Sequence, residues 1–214
     1  MTFFNSNTPI FVRKKTAFVQ DLPGIWRIHW QIGRHVILST FYTRHDQACL
    51  VWGLLSSIIF TTVQFVPVSW LHQTVIFSGL TLAALAIMLG LTLYLTEEKP
   101  FARVLWAWVL LMVVGISITN MSFFLGWGHV LGSICPLWLI LNAIGYCFTG
   151  VELRSRMFLL LSGFHLLAVL LLPYVGIWQP LTTGIVISGC AFWVAELQWD
   201  ANGVCLSQLQ PAPQ

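Results

Sequence analysis

Acidic and basic side chains are absent from three long stretches of the chain. Residues 47–96, 104–151 and 157–195 contain no Asp, Glu, Lys or Arg, and a small cluster of charge bounds each stretch. Each stretch has the length of two membrane-crossing helices, since one crossing takes about 20 apolar residues. The pattern therefore predicts an all-α integral membrane protein with six transmembrane helices, arranged as three helical hairpins.

The boundaries of the six predicted crossings follow from hydropathy and turn residues. They are Gln47–Val66, Leu71–Leu95, Val104–Phe124, His129–Thr149, Met157–Val175 and Pro180–Leu197. The turns after the first, third and fifth crossings carry no charge, whereas those after the second and fourth carry acidic and basic residues. Because loops rich in Lys and Arg stay on the cytoplasmic side, we expect both termini to be cytoplasmic.

The segments outside the transmembrane domain, which we place at residues 47–199, are polar. Residues 1–46 form a basic cytoplasmic segment that holds six of the ten Lys and Arg residues. Residues 200–214 are polar and predict a disordered cytoplasmic tail.

Residues 25–38 have the pattern of an amphipathic helix. Basic side chains fall on one arc of the helical projection, and Trp and Ile residues spread over the other side. This pattern is typical of a helix that lies in the membrane interface, with Trp26, Arg27, Trp30 and Arg34 in contact with the bilayer. The alternative is an amphipathic helix packed on the inner face of the protein itself.

The composition agrees with a chain embedded in lipid. Hydrophobic residues make up 57% and charged residues 8% of the sequence, whereas soluble domains carry about 25% charged residues. The mean hydropathy is +0.83. The net charge of +3 is too small to indicate a nucleic-acid partner. The expected partners are the lipid bilayer and other membrane-protein subunits.

Charged side chains are almost absent from the predicted crossings, where Glu196 lies close to the end of the sixth. This argues against a proton pump or an ion-coupled transporter, because these classes use buried carboxylates or basic residues. The sequence also contains no zinc-protease, paired-aspartate or serine-hydrolase motif. We predict no catalytic and no metal-ligating residue.

His165 is the ionisable side chain closest to the predicted bilayer centre. Neutral imidazole binds the metal of haem or chlorophyll, so a tetrapyrrole at His165 is one hypothesis. No other predicted crossing supplies a second histidine at matching depth. A histidine that is hydrogen-bonded to a neighbouring helix is the simpler interpretation, and contact with a solute is a third.

Uncharged polar side chains gather in the outer third of the predicted bundle. The candidates for contact with a solute are Gln64, His72, Asn120, His129, Thr182 and Thr183. Such groups at one depth suit a vestibule for a neutral solute. They equally suit hydrogen bonds between helices.

Three functions are compatible with these features. Short loops, the lack of buried charge and a stripe of small residues at Gly79, Ala83, Ala86 and Gly90 favour a non-catalytic accessory subunit or assembly factor of a larger membrane complex. The alternative is a small transporter or channel component for a neutral or amphipathic solute. A pigment- or haem-binding protein that uses His165 is the third hypothesis.

Overall fold

A computed structural model describes residues 4, 9–14, 26–32, 35–93 and 99–200. The helices are α1 (Arg44–Phe65), α2 (Trp70–Thr92), α3 (Lys99–Phe124), α4 (Gly128–Leu131), α5 (Ile134–Glu152), α6 (Arg156–Val175) and α7 (Gln179–Glu196). The strands are β1 (Phe11–Arg13), β2 (Trp26–Ile32), β3 (His35–Tyr42) and β4 (Leu197–Trp199).

The structure confirms a mostly helical protein with helices long and apolar enough to cross a membrane. These are α1, α2, α3, α5 and the stretch Arg156–Glu196, which contains α6 and α7 joined by a 3₁₀ turn at Gly176–Trp178. Protein buries between 17% and 44% of the most apolar window of each stretch. Most of the helix surface therefore remains for contact with lipid.

The start of the fourth long helix differs from the prediction. We predicted a crossing from His129, whereas α5 begins at Ile134 and residues 128–131 form the separate short helix α4. Pro136 explains the break, because its ring clashes with the carbonyl group four residues earlier and it has no N–H to donate. Pro136 therefore occupies the first turn of α5, where proline is tolerated.

The predicted amphipathic helix over residues 25–38 is wrong. This part of the chain forms the antiparallel pair β2–β3, with Trp26 opposite Tyr42 and Ile32 opposite His35. The region is rich in Trp, Ile, Val, Thr and Phe, which favour strands. Helical periodicity in a short segment did not outweigh these preferences.

The six long helices pack as a closed ring. Going round the ring, the order is α1, α2, α3, α5, α6, α7 and back to α1, and every neighbouring pair is in contact. Helix α5 also contacts α7 directly, so α6 lies beside this pair rather than between its members. Alternate helices run in opposite directions. The turns near residues 66–69, 125–133 and 176–178 therefore share one end, which we call the uncharged end. The opposite end is the charged end.

The contact between α1 and α7 closes the ring and is the most extensive helix pair. Two glycines allow this close approach. A Cβ at Gly53 would lie 2.6 Å from the Phe192 ring, and a Cβ at Gly184 would lie 2.7 Å from Phe60 Cβ. By contrast, the small-residue stripe on α2 from Gly79 to Gly90 is exposed, and among the described residues a Cβ at Gly79 or Gly90 would meet no heavy atom within 4 Å, so the stripe does not bring α2 close to another described helix.

The terminal segments are attached to the charged end. Strand β1 pairs with β4, and the buried Lys14 ammonium lies 2.6 Å from the Asp46 carboxylate. Lys14 also donates to the Ala195 carbonyl oxygen at the end of α7. Burial and a hydrogen bond from Tyr42 to Glu196 raise the pKa of Tyr42 to about 12.

Asp200 is part of the folded bundle rather than of a polar tail. Its carboxylate accepts hydrogen bonds from the Ser155 hydroxyl, the Arg156 guanidinium and the backbone N–H of Met157. Burial alone would raise the pKa of Asp200, but these bonds outweigh it and lower the pKa. The rest of the predicted tail, residues 201–214, lies outside the described residues.

Candidate functional site

The bundle contains a cavity of about 400 Å³ in the half that faces the uncharged end. We call it the large cavity. Side chains from α1, α2, α3, α5 and α7 form its walls, and Leu131, Gly132 and Gly176 lie at its rim. Its volume lies within the range of about 300–1,000 Å³ that is usual for small-molecule sites.

Aromatic and aliphatic side chains make up most of the wall. The aromatic members are Trp52, Phe60, Trp70, Phe77 and Trp138. Among the described residues that line the cavity there is no Asp, Glu, Lys or Arg. Because a charged ligand would lose its hydration there without gaining an opposite charge, the wall suits an uncharged molecule.

Three buried polar atoms of the lining have no hydrogen-bond partner in the described structure. They are the indole Nε1 of Trp52 on α1, the hydroxyl oxygen of Thr119 on α3 and the amide oxygen of Asn142 on α5. Asn142 uses its amide nitrogen to donate to the Trp138 carbonyl oxygen at 2.8 Å. An unpartnered buried polar group costs about 1–3 kcal/mol.

The three atoms differ in what they offer a ligand. The Trp52 indole donates, the Asn142 amide oxygen accepts, and a threonine hydroxyl does either. They come from three different helices around one space. A ligand that both donates and accepts hydrogen bonds matches the chemistry of this set.

Several other polar side chains of the lining are already hydrogen-bonded. The Gln73 amide donates to the Val68 carbonyl oxygen at 2.8 Å, and the Ser78 hydroxyl donates to Asn120 at 3.0 Å. The Thr81 hydroxyl donates to a carbonyl oxygen of its own helix. These groups already have partners, whereas the buried polar atoms of Trp52, Thr119 and Asn142 have none among the described residues.

The six sequence-predicted solute contacts lie near the uncharged end but outside the lining of the large cavity. Gln64 accepts a hydrogen bond from the Leu181 N–H, and Asn120 accepts one from Ser78. His72 and His129 are exposed. Thr182 is half-buried and Thr183 fully buried on α7. The six residues lie in the same half of the bundle as the large cavity, and other side chains form the wall of that cavity.

Sequence reasoning missed Trp52 and Asn142 as members of a site. One signal was available on α5, where Cys135, Trp138 and Asn142 recur at helical spacing on one face. On α2, Thr74, Ser78 and Thr81 do the same. Polar residues on one face of an otherwise apolar helix mark the side that turns away from lipid.

His165 lies apart from the large cavity. Its side chain is fully buried, its Nδ1 lies 2.8 Å from the Leu161 carbonyl oxygen, and the ring centroid of Tyr146 lies 5.1 Å away. The Nε2 atom has no partner in the described structure. A tetrapyrrole ligand needs an open plane above this atom, and the packed surroundings of His165 do not fit one.

The remaining predicted contacts concern the membrane surface. Trp26 on β2 is 60% exposed, as a residue in contact with the bilayer surface would be. Arg27 and Trp30 belong to the same strand, but their side chains lie outside the described part of the structure, as does Arg34. Among the described residues, no group of His, Cys, Asp and Glu side chains has the arrangement of a metal site.

Comparison of the chain with protein-family models, with curated proteins and with solved structures finds no match.

Proposed function

We propose that this protein is a six-span membrane protein, with both termini cytoplasmic, that binds a neutral, largely apolar small molecule in the large cavity. The observation that carries the proposal is that three residues that line one uncharged space, Trp52, Thr119 and Asn142, each hold a buried polar atom without a partner among the described residues. A bound ligand that satisfies them would offset the cost of burying them.

The lining defines the chemical class of the ligand. Its body is apolar or aromatic, matching walls that include Phe60, Phe77 and Trp138. It carries at least one hydrogen-bond acceptor for the Trp52 indole and one donor for the Asn142 amide oxygen. Amides, alcohols and nitrogen heterocycles without a formal charge meet these requirements. This proposal corresponds to a transporter or channel component for a neutral or amphipathic solute.

A ligand screen with a matched pair of variants tests the proposal. Purified protein in mild detergent is heated with a panel of uncharged amides, alcohols and heterocycles, and compounds that raise the melting temperature are titrated by calorimetry. Thr119→Val removes one lining hydroxyl, and Thr182→Val makes the same change outside the cavity.

The expected difference follows from one lost hydrogen bond. A bond worth about 0.5–1.5 kcal/mol corresponds to about a two- to twelvefold weaker Kd for Thr119→Val. Thr182→Val should bind as the unchanged protein does. A panel without hits, or equal weakening in both variants, would refute binding in the large cavity.

An accessory subunit of a larger membrane complex is the second candidate. The specific observation in its favour is the exposed stripe Gly79, Ala83, Ala86 and Gly90, since small residues allow a transmembrane helix of another protein to approach closely. The test is migration of the tagged protein on a native gel after extraction from its own membranes. A large assembly that is lost in Gly79→Leu would support this function, and migration as a small particle would argue against it.

A further inference from the structure

A second cavity of about 100 Å³ lies in the half of the bundle that faces the charged end. We call it the small cavity. Its wall is again mostly apolar, and it includes the side chains of His45, Cys49, Thr92 and Thr149. Apart from Trp52, the residues that carry the proposed binding site do not line this space.

The two cavities lie end to end along the bundle axis. Five helices line both cavities, and on each of these helices one segment lines the large cavity and the next segment lines the small one. The large cavity is lined from residues 52–63 of α1, 70–81 of α2, 116–119 of α3, 134–142 of α5 and 179–187 of α7. The small cavity is lined by residues within 45–52 of α1, 88–92 of α2, 101–112 of α3, 146–149 of α5 and 191–194 of α7. Of the lining residues, Trp52 alone belongs to both sets.

The Trp52 side chain stands between the two spaces. Its indole N–H has no hydrogen-bond partner among the described residues, so packing alone holds the ring in place. A bulky ring that is not tied by a hydrogen bond can change rotamer without breaking one. Rotation or removal of this ring would join the two cavities.

The small cavity offers a solute less than the large one does. The Thr92 hydroxyl donates to the Met88 carbonyl oxygen at 2.7 Å, and the Thr149 hydroxyl donates to the Gly145 carbonyl oxygen at 2.8 Å. Apart from Trp52, no side chain of this lining has a buried polar atom that lacks a partner. Such a space suits passage rather than a second binding site.

A second indole packs beside the charged end of the small cavity. Trp199 on β4 lies 5.8 Å from the His45 ring and 5.2 Å from the Phe158 ring, measured between centroids, and both of these residues line the small cavity. Trp199 therefore packs against two side chains of the wall at that end.

We propose that the two cavities form one route through the bundle for the neutral solute, and that the Trp52 indole is the gate between the binding site and the charged end. This inference rests on the proposed function, because it takes the large cavity as the binding site. It adds translocation to binding and assigns the gating residue.

Native cysteines allow the gate to be tested without knowing the solute. Cys135 lines the large cavity and Cys49 lines the small one. Two versions of the full chain keep only one of these thiols, with the other four cysteines replaced by Ser or Ala. A small uncharged thiol reagent, 2-hydroxyethyl methanethiosulfonate, is added to one side of sealed vesicles, and mass spectrometry follows the loss of free thiol at times shorter than the reagent needs to cross the lipid. The side from which Cys135 reacts identifies the face of the uncharged end.

From that side, Cys135 should react readily and Cys49 slowly. If the conformer with an open gate makes up about 0.1–10% of the unchanged protein, Trp52→Ala should raise the reaction rate of Cys49 about 10- to 1,000-fold. The reaction rate of Cys135 should stay unchanged. The matched control is Trp106→Ala on α3, whose indole is 58% exposed and lines neither cavity. Trp52→Leu, which leaves a smaller void, gives the same readout if the Ala variant does not fold.

The outcomes separate the two proposals. If Cys135 reacts and neither Trp52 variant changes the reaction rate of Cys49, the proposed binding site stands and the proposed gate at Trp52 is refuted. A Cys49 that reacts as fast as Cys135 in the unchanged protein also overturns it. If Cys135 itself does not react from either side, the large cavity is closed to solutes and the proposed function fails as well.

Discussion

Replacement of Gly184 by alanine should loosen the contact that closes the helix ring. The added Cβ would lie 2.7 Å from Phe60 Cβ, whereas nonbonded carbon atoms prefer about 3.5–4.0 Å. Phe60 Cβ is attached directly to the α1 backbone and cannot rotate away. The two helices must therefore separate locally by about 1 Å.

The same helix supplies a matched control. A Cβ at Gly189 would meet no heavy atom within 4 Å. Both Gly→Ala changes gain about 1 kcal/mol of helix propensity, but only Gly184→Ala pays an overpacking cost of about 1–3 kcal/mol. The free energy of unfolding of Gly184→Ala should thus lie about 1–3 kcal/mol below that of Gly189→Ala.

Reversible unfolding in mixed micelles, titrated with dodecyl sulfate and followed by far-ultraviolet circular dichroism, measures this difference. Gly53→Ala should show a smaller loss than Gly184→Ala, because its close contacts are atoms of the Phe192 ring, which can shift. If Gly184→Ala and Gly189→Ala unfold at the same denaturant fraction, the close approach of α1 and α7 is incorrect.

Three further predictions concern the cavity, the charged end and the topology. Asn142→Leu should leave the melting temperature of the ligand-free protein unchanged or raise it, because an unpartnered amide oxygen is replaced by methyl groups; a clear loss of thermal stability would contradict this. Asp200→Asn should lower the free energy of unfolding at pH 7. Because the pKa of Asp200 is lowered in the folded protein, its ionised carboxylate contributes fully to the free energy of unfolding above the ordinary Asp pKa of about 4. This contribution is lost as the pH falls through the folded-state pKa, so the free energies of unfolding of the two proteins should become equal in acid. A constant difference down to pH 2 would refute this assignment. Finally, epitope tags on both termini should resist protease in right-side-out vesicles and be cleaved after permeabilisation; cleavage of either tag in sealed vesicles would exclude the six-span arrangement with cytoplasmic termini.

The helices were predictable because charge and length constrain them strongly. A helix that crosses lipid excludes Asp, Glu, Lys and Arg over about 20 residues, so the gaps in charge mark the six long helices to within a few residues. To predict that α5 starts only at Ile134, the helix-breaking effect of Pro136 has to be weighed against a run of apolar residues that continues through it. To predict the β2–β3 pair, the strand preference of its residues has to be weighed against a short helical pattern.

The cavity was less predictable because it depends on how each helix is rotated in the ring. Asn120 and Asn142 are both amides within apolar helices, yet the first contacts Ser78 and the second faces the cavity. Trp52 reads as an ordinary apolar residue in the sequence, and only the packing of five helices leaves its indole N–H unpartnered. Depth in the membrane can be estimated from sequence, whereas the direction of a side chain requires the tertiary structure.

Native mass spectrometry of protein gently extracted from its own membranes tests the central claim most directly. The account predicts that the unchanged protein and Thr182→Val carry one neutral small molecule each, and that Asn142→Leu has lost it. Unliganded protein in every sample, or the same adducts in all three, would contradict a binding site formed by Trp52, Thr119 and Asn142.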